Sequence, residues 1–182
     1  MKIVLTGGPH SGKTTLIEHM KEKGYYVIPE AALQIILELE NQYSAAWART
    51  FREQHAATFQ EMILERQILL ERNIPVHEIV FLDRGAFDPI AYYHVNARQQ
   101  SPQHVQKKIS AHAYDMIFLL DMILPYRREL RVENETTSFK IGQAIETIYI
   151  ENGYRPIRIP PLPVEERAKL ILSHIKKFRK NP

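Results

Sequence analysis

The residues best equipped for chemistry lie near the start of the chain. Gly7-Gly8-Pro9-His10-Ser11-Gly12-Lys13-Thr14, followed by Thr15, fits the spacing G-x-x-x-x-G-K-[ST]. Glycines there let the backbone wrap closely enough for its N–H groups to point inward at phosphate oxygens. A helix starting directly after such a loop adds its dipole and its free N–H groups. Lys13 can reach the β- and γ-phosphates, and the Thr14 hydroxyl can ligate Mg2+. The competing reading, a glycine-rich turn with a stray lysine, leaves the strand–loop–helix setting unexplained. The segment therefore implies binding of a nucleoside triphosphate.

What the nucleotide is used for depends on other charged residues. Glu30 directly follows a short apolar run, and Asp83-Arg84 directly follow another. In an open parallel sheet, ligands bind beyond the carboxyl ends of the strands, so both carboxylates belong on the side of the glycine-rich loop. A carboxylate there can hold Mg2+ or accept the proton of an attacking hydroxyl. Asp83 could instead be a helix N-cap and Glu30 an exposed turn residue, but their shared position at strand ends favours function. Arg127, Arg128 and Arg131 lie together in a polar stretch. Arginines that close over a transferred phosphoryl group stabilise its charge, whereas a solvated charged turn is the plain alternative.

The elements that must position these groups alternate along the chain. Strands are expected over 2–6, 25–28, 78–82, 116–120 and 154–159, each a short apolar run bounded by turn residues. Helices are expected over 13–23, 31–40, 44–72, 87–97, 102–112, 139–152 and 164–178. Ser44 reads as the N-cap of the long helix, whose apolar stripe carries Trp47, Phe51, Phe59, Ile63 and Leu70. His55 on that stripe reads as a packed histidine. Polar residues of the same helix, Arg52, Gln54, Gln60 and Gln67, cannot be sorted into inward and outward ones by spacing alone. Strands alternating with helices imply one three-layer α/β domain spanning 1–182.

Composition narrows the partners. The chain has 182 residues, no cysteine, and 24 Lys+Arg against 21 Asp+Glu. Without cysteine, a disulfide scaffold, a thiolate metal site and a thiol nucleophile are excluded. A formal charge of +3 makes no case for nucleic acid, and the cluster Lys176, Lys177, Arg179 and Lys180 reads as a solvated helix end. No apolar run approaches the roughly 20 residues of a membrane span, and no signal-peptide core is visible, so a cytoplasmic protein is expected.

With these residues in place, the chain resembles the AAA-like ATPase domain family. That family includes the nicotinamide-ribonucleoside-kinase half of the bacterial NadR protein and the animal TRPL-translocation-defect proteins. The resemblance rests on the segment Gly7 to Leu16, on Val27-Ile28-Pro29-Glu30-Ala31-Ala32, and on Phe81-Leu82-Asp83-Arg84-Gly85 with Asp88. Tyr126-Arg127-Arg128 to Arg131, Gly153-Tyr154, Ile159-Pro160 and Glu166-Arg167 complete it.

The resemblance implies a P-loop NTPase fold of the nucleoside- and nucleotide-kinase type, a five-stranded parallel sheet in the order 2-3-1-4-5. It implies ATP as donor, Mg2+ held by Thr14 and Asp83, and Glu30 as the base on the acceptor hydroxyl. Arg84 and Asp88 then belong to the acceptor side with Glu30. Arg127, Arg128 and Arg131 become lid arginines, and the proline-rich turn after the last strand flanks the adenine. A true AAA motor needs a second acidic residue beside the metal-binding Asp, where this chain has Arg84. The GTPase signatures D-x-x-G after the loop and N-K-x-D are missing too.

The expected activity is transfer of the γ-phosphoryl group of ATP to a small, nucleoside-like acceptor. The alternative is a regulatory nucleotide-binding module with slow ATP or GTP hydrolysis. Oligomeric state is not legible in the sequence.

Overall fold

Ile3-Val4-Leu5, Val80-Phe81-Leu82 and Ile117-Phe118-Leu119 are apolar on both strand faces, as central strands covered on two sides must be. In the computed structural model, which describes residues 1–72, 74, 78–96, 105, 109, 113–124 and 134–180, these runs form the middle of a sheet. Its strands are β1 (Lys2–Thr6), β2 (Tyr26–Ile28), β3 (Val80–Asp83), β4 (Met116–Leu120) and β5 (Ile157–Ile159). All pair in parallel, in the order β2-β3-β1-β4-β5.

Seven helices are described: α1 (Lys13–Glu22), α2 (Ala31–Gln42), α3 (Ala45–Gln54), α4 (Ala56–Glu71), α5 (Asp88–Asn96), α6 (Glu135–Glu151) and α7 (Val164–Lys180). Side chains alternate across each strand, so the sheet builds two cores. Val4, Val80, Leu82, Ile117 and Leu119 pack on one side with Leu64, Ala91, Ile141, Ile145 and Tyr149 of α4, α5 and α6. Ile3, Leu5, Phe81, Phe118 and Leu120 pack on the other with Leu16, Met20, Ala168 and Ile171 of α1 and α7. The three-layer α/β expectation and the strand order both hold.

Two helices depart from expectation by a break or by a whole turn. The helix expected over 44–72 breaks at His55, whose backbone leaves the helical region at φ −121°, ψ 43°. Ser44 does cap α3, accepting from Trp47 N at 3.1 Å. The break was hidden because the aromatic spacing runs on: Tyr43, Trp47, Phe51 and His55 stack ring on ring along α3. Beyond the break, Phe59 and Ile63 turn onto Ala31 and Ile35 of α2. The other difference is α6, which starts a turn before residue 139, with Asn134 as N-cap accepting from Thr137 N at 2.8 Å. Its polar first turn reads as loop in sequence.

The helix expected over 102–112 lies outside the described residues apart from Val105 and Ile109, both buried. Among the described residues, no helix is long and apolar enough to cross a membrane.

Candidate active site

The glycine-rich loop follows β1 and is held on several sides. Gly12, at φ +71°, makes the left-handed turn into α1 that other residues adopt at a cost. Gly8 approaches α6 so closely that a Cβ there would lie 2.5 Å from the Ser138 carbonyl oxygen. Ile123, just after β4, donates its N–H to the His10 carbonyl at 2.9 Å. Arg167 of α7 donates from Nη1 to the Ser11 carbonyl at 2.8 Å. Lys13 folds back over the loop, its Nζ donating to Gly7 O at 2.9 Å, Gly8 O at 2.8 Å and Ser11 Oγ at 2.9 Å. Burial lowers Lys13 to about 7; Arg84 adds to the effect, and Asp83, Glu30 and Asp88 oppose it. Thr14 and Thr15 are exposed in the first turn of α1.

The sheet register brings the acidic residues to this loop. Leu5 pairs with Asp83, so β3 ends beside the exit of β1. Asp83 is buried, and its Oδ1 has no hydrogen-bond partner among the described residues. Burial raises its carboxyl to about 6; Glu30 adds to this, while Arg84 and Lys13 pull it back.

Arg84 adopts φ +73°, uncommon for a side chain of its size, and donates its N–H to Leu5 O at 3.1 Å. Its Nε meets Glu30 Oε1 at 2.8 Å, and its Nη1 meets Gly7 O and Asp88 Oδ1, each at 3.2 Å. The guanidinium also lies over the Tyr92 ring, 5.2 Å from its centroid. Burial opposes its charge, but Tyr92 and the three surrounding carboxylates hold its pKa well above the ordinary value. Glu30 precedes α2 and remains partly exposed.

Asp88 is the buried hub. Its Oδ1 accepts from the Thr6 hydroxyl and from Arg84, while its Oδ2 accepts from Gly85 N at 3.1 Å and Tyr149 Oη at 2.8 Å. Each oxygen thus accepts from two donors. Beneath it, Gln67 Nε2 donates to Arg84 O at 3.2 Å and to Glu71 Oε1 at 3.0 Å. Tyr114 Oη donates to the same Glu71 oxygen at 2.8 Å and accepts from Ala86 N at 2.7 Å.

Sequence reasoning did not single out Glu71, Tyr114, Tyr149 or the phosphate-loop contact of Arg167, and it left Gln67 unsorted. For α4 a signal was available: Gln60, Gln67 and Glu71 share the buried face with Ile63 and Leu64. Arg167 likewise lies on the buried face of α7 with Ile171 and Ile175. Arg127, Arg128 and Arg131 lie outside the described residues.

Together, these groups offer a phosphate cradle, a lysine at its mouth, an arginine bridging it to Glu30, and a buried carboxylate. The donor set fits Mg2+. Among the described residues, no group of three or more acidic or histidine side chains forms a protein-only cage. Mg2+ is ordinarily held by one or two carboxylates together with substrate phosphates and waters. Asp83, whose buried Oδ1 has no partner among the described residues, and the exposed Thr14 hydroxyl are oxygen donors of that kind.

The parallel sheet in this order, with its glycine-rich loop between β1 and α1, defines a P-loop NTPase fold. Residues 2–167 match the family described as "AAA domain", and the chain belongs to that family. Among solved structures, deoxyadenosine kinase from M. mycoides, with dCMP and a flexible dCDP bound, is similar at a TM-score of 0.69. That match has 16% identity and covers 97% of this chain and 100% of the other. Thymidylate kinase from Candida albicans is similar at a TM-score of 0.71 and 16% identity, covering 98% of this chain and 92% of that one. At this identity, these likenesses establish the fold. No curated protein matches the chain in sequence.

Proposed function

We propose that the protein is a Mg-ATP-dependent kinase that transfers the γ-phosphoryl group to a hydroxyl of a small, nucleoside-like acceptor. The observation that carries this reading is the position of Arg84. One guanidinium touches both the phosphate loop, through Gly7 O, and Glu30, through Oε1. A kinase must bring a donor phosphate and an acceptor hydroxyl together at such a junction.

In this reading the loop N–H groups from Gly7 to Thr15 bind the β- and γ-phosphates, with Lys13 neutralising charge. Glu30 accepts the proton of the acceptor hydroxyl as its oxygen bonds to the γ-phosphorus, and the bond to the ADP oxygen breaks. Arg84 holds Glu30 in place and faces the charge that builds on the transferred group. Arg127, Arg128 and Arg131, which the family resemblance implies as lid arginines, add positive charge for the transferred group. Asp83 and Thr14 would hold Mg2+, which neutralises phosphate charge when bound.

The nucleoside-like acceptor is supported by the company the fold keeps, a deoxyadenosine kinase and a thymidylate kinase. Within the AAA-domain family we place the chain on the kinase-like branch that includes the NadR kinase half. Purified protein with Mg-ATP should phosphorylate at least one member of a panel of nucleosides, ribonucleosides and nucleoside monophosphates. Intact ATP binding with no product across that panel would instead favour a regulatory module.

A further inference from the structure

Arg167 carries a buried charge for which the described residues supply no counter-ion. It is 3% exposed, and its only described side-chain partner is the neutral Ser11 carbonyl. Its Nε has no hydrogen-bond partner among the described residues. Its surroundings add to the imbalance. Arg167 lies in the first turn of α7, where a helix dipole disfavours cations. Its Nη2 lies 2.9 Å from where a Cβ of Gly12 would be, and Gly12 caps the N-terminus of α1. The guanidinium therefore sits between the positive ends of two helices. The acidic neighbours on its own turn look elsewhere: Glu165 faces His19 and Lys23, and Glu166 is exposed. Buried charges are normally paired, because an unpaired one costs several kcal/mol.

We propose that Arg167 is a positioning residue for the phosphate loop whose counter-ion is the bound nucleotide's phosphate chain. It holds the Ser11 carbonyl on the outer side of the loop, which leaves the N–H groups of the loop free to face the phosphates. Its charge destabilises the empty protein and is compensated only when the polyphosphate occupies the cradle on the other side of Gly12. The inference rests on the triphosphate reading of the loop. It adds that affinity for phosphate is obtained at the expense of the stability of the empty fold.

The test compares wild type with Arg167→Met and Arg167→Gln, measuring thermal unfolding without nucleotide and calorimetric binding of Mg-ATP, Mg-ADP and adenosine. Both variants should unfold at or above the wild-type temperature when empty. Both should bind Mg-ATP about tenfold more weakly, the scale of a partly screened charge interaction across several ångströms. The loss should be smaller for Mg-ADP and absent for adenosine. Variants that unfold earlier when empty yet keep wild-type affinity would show a packing residue and overturn the proposal. If Arg167→Met does not fold, Arg167→Gln, which keeps a donor for Ser11, is read by the same criteria. If neither folds, Arg167 is required by the fold itself and the proposal fails. A wild-type protein that binds no Mg-ATP overturns the triphosphate reading before any variant is compared.

Discussion

Arg84 and Glu30 stand 54 positions apart in sequence and meet at 2.8 Å, Nε to Oε1, joining the ends of β3 and β2 beside the phosphate loop. To make this contact Arg84 adopts a left-handed backbone at φ +73°, a conformation that costs roughly 1–2 kcal/mol for a residue with a side chain. Compensation comes from the Leu5, Gly7, Asp88 and Gln67 contacts around it. Strain held in place by so many partners is typical of a position where geometry matters more than local preference.

Glu30→Gln tests the acceptor side of that pair. The amide keeps the shape and can still accept from Arg84, but it cannot take a proton at neutral pH. Loss of a general base lowers turnover by about 10²- to 10⁴-fold, while KM for ATP should stay within about threefold. Steady-state kinetics with the accepted substrate reads both values. Unchanged turnover would move the chain to the regulatory reading.

Asp88→Asn tests the hub. Removing the charge leaves Arg84 with one carboxylate contact fewer, and the new amide can turn a donor toward Thr6, Gly85 or Tyr149, all of which already donate. Breaking a buried ionic contact of this kind costs about 3–5 kcal/mol. Tyr149→Phe removes a single hydrogen bond and should cost about 1 kcal/mol. Urea unfolding of the two variants should preserve that ranking.

The contrast between hub and loop shows what could be read in the sequence. The phosphate loop was legible because its chemistry needs consecutive residues, Gly7 to Thr14, at fixed spacing. Glu30 and Asp83 were legible as strand-end residues because β2 and β3 are short apolar runs that stop at them. The layer below was not, because Gln67, Glu71, Tyr114 and Tyr149 come from three separate segments that meet only after the sheet is built. The break at His55 was lost for a different reason. A stripe of aromatic residues at helical spacing continues through it, and periodicity reports spacing rather than backbone continuity.

Asp83→Asn separates stability from activity. Asp83 is raised to about 6 from an ordinary carboxylate value, mainly by burial, so the empty folded protein retains a proton that the unfolded chain has lost. Its contribution to stability therefore falls as pH rises from about 4 to about 6 and stays unfavourable above that. The asparagine variant should unfold later than wild type at pH 8, with the difference shrinking toward pH 4. Its Mg2+-dependent turnover should be largely lost. Thermal scans without nucleotide across this pH range, paired with a Mg2+ titration of activity, check both halves.

Lys13 leads to a prediction about protons. Burial lowers it to about 7, so at pH 8 the folded, empty protein holds it mostly neutral, able to donate to only two of its three partners, whereas the unfolded chain keeps it charged up to about 10.5. Its linkage makes the stability of the empty protein rise with pH between about 7 and 10.5, and Lys13→Met removes that rise. Phosphate oxygens replacing Gly7 O, Gly8 O and Ser11 Oγ as its acceptors bring negative charge, which favours the ammonium form. Binding of Mg-ATP at pH 8 should therefore take up protons, approaching ~1 per site. At that pH Asp83 is already ionised and contributes little to the proton balance. Calorimetry in two buffers of different ionisation enthalpy measures the uptake directly. Its absence in wild type, or its persistence in Lys13→Met, would mean that Lys13 does not exchange the loop carbonyls for phosphate.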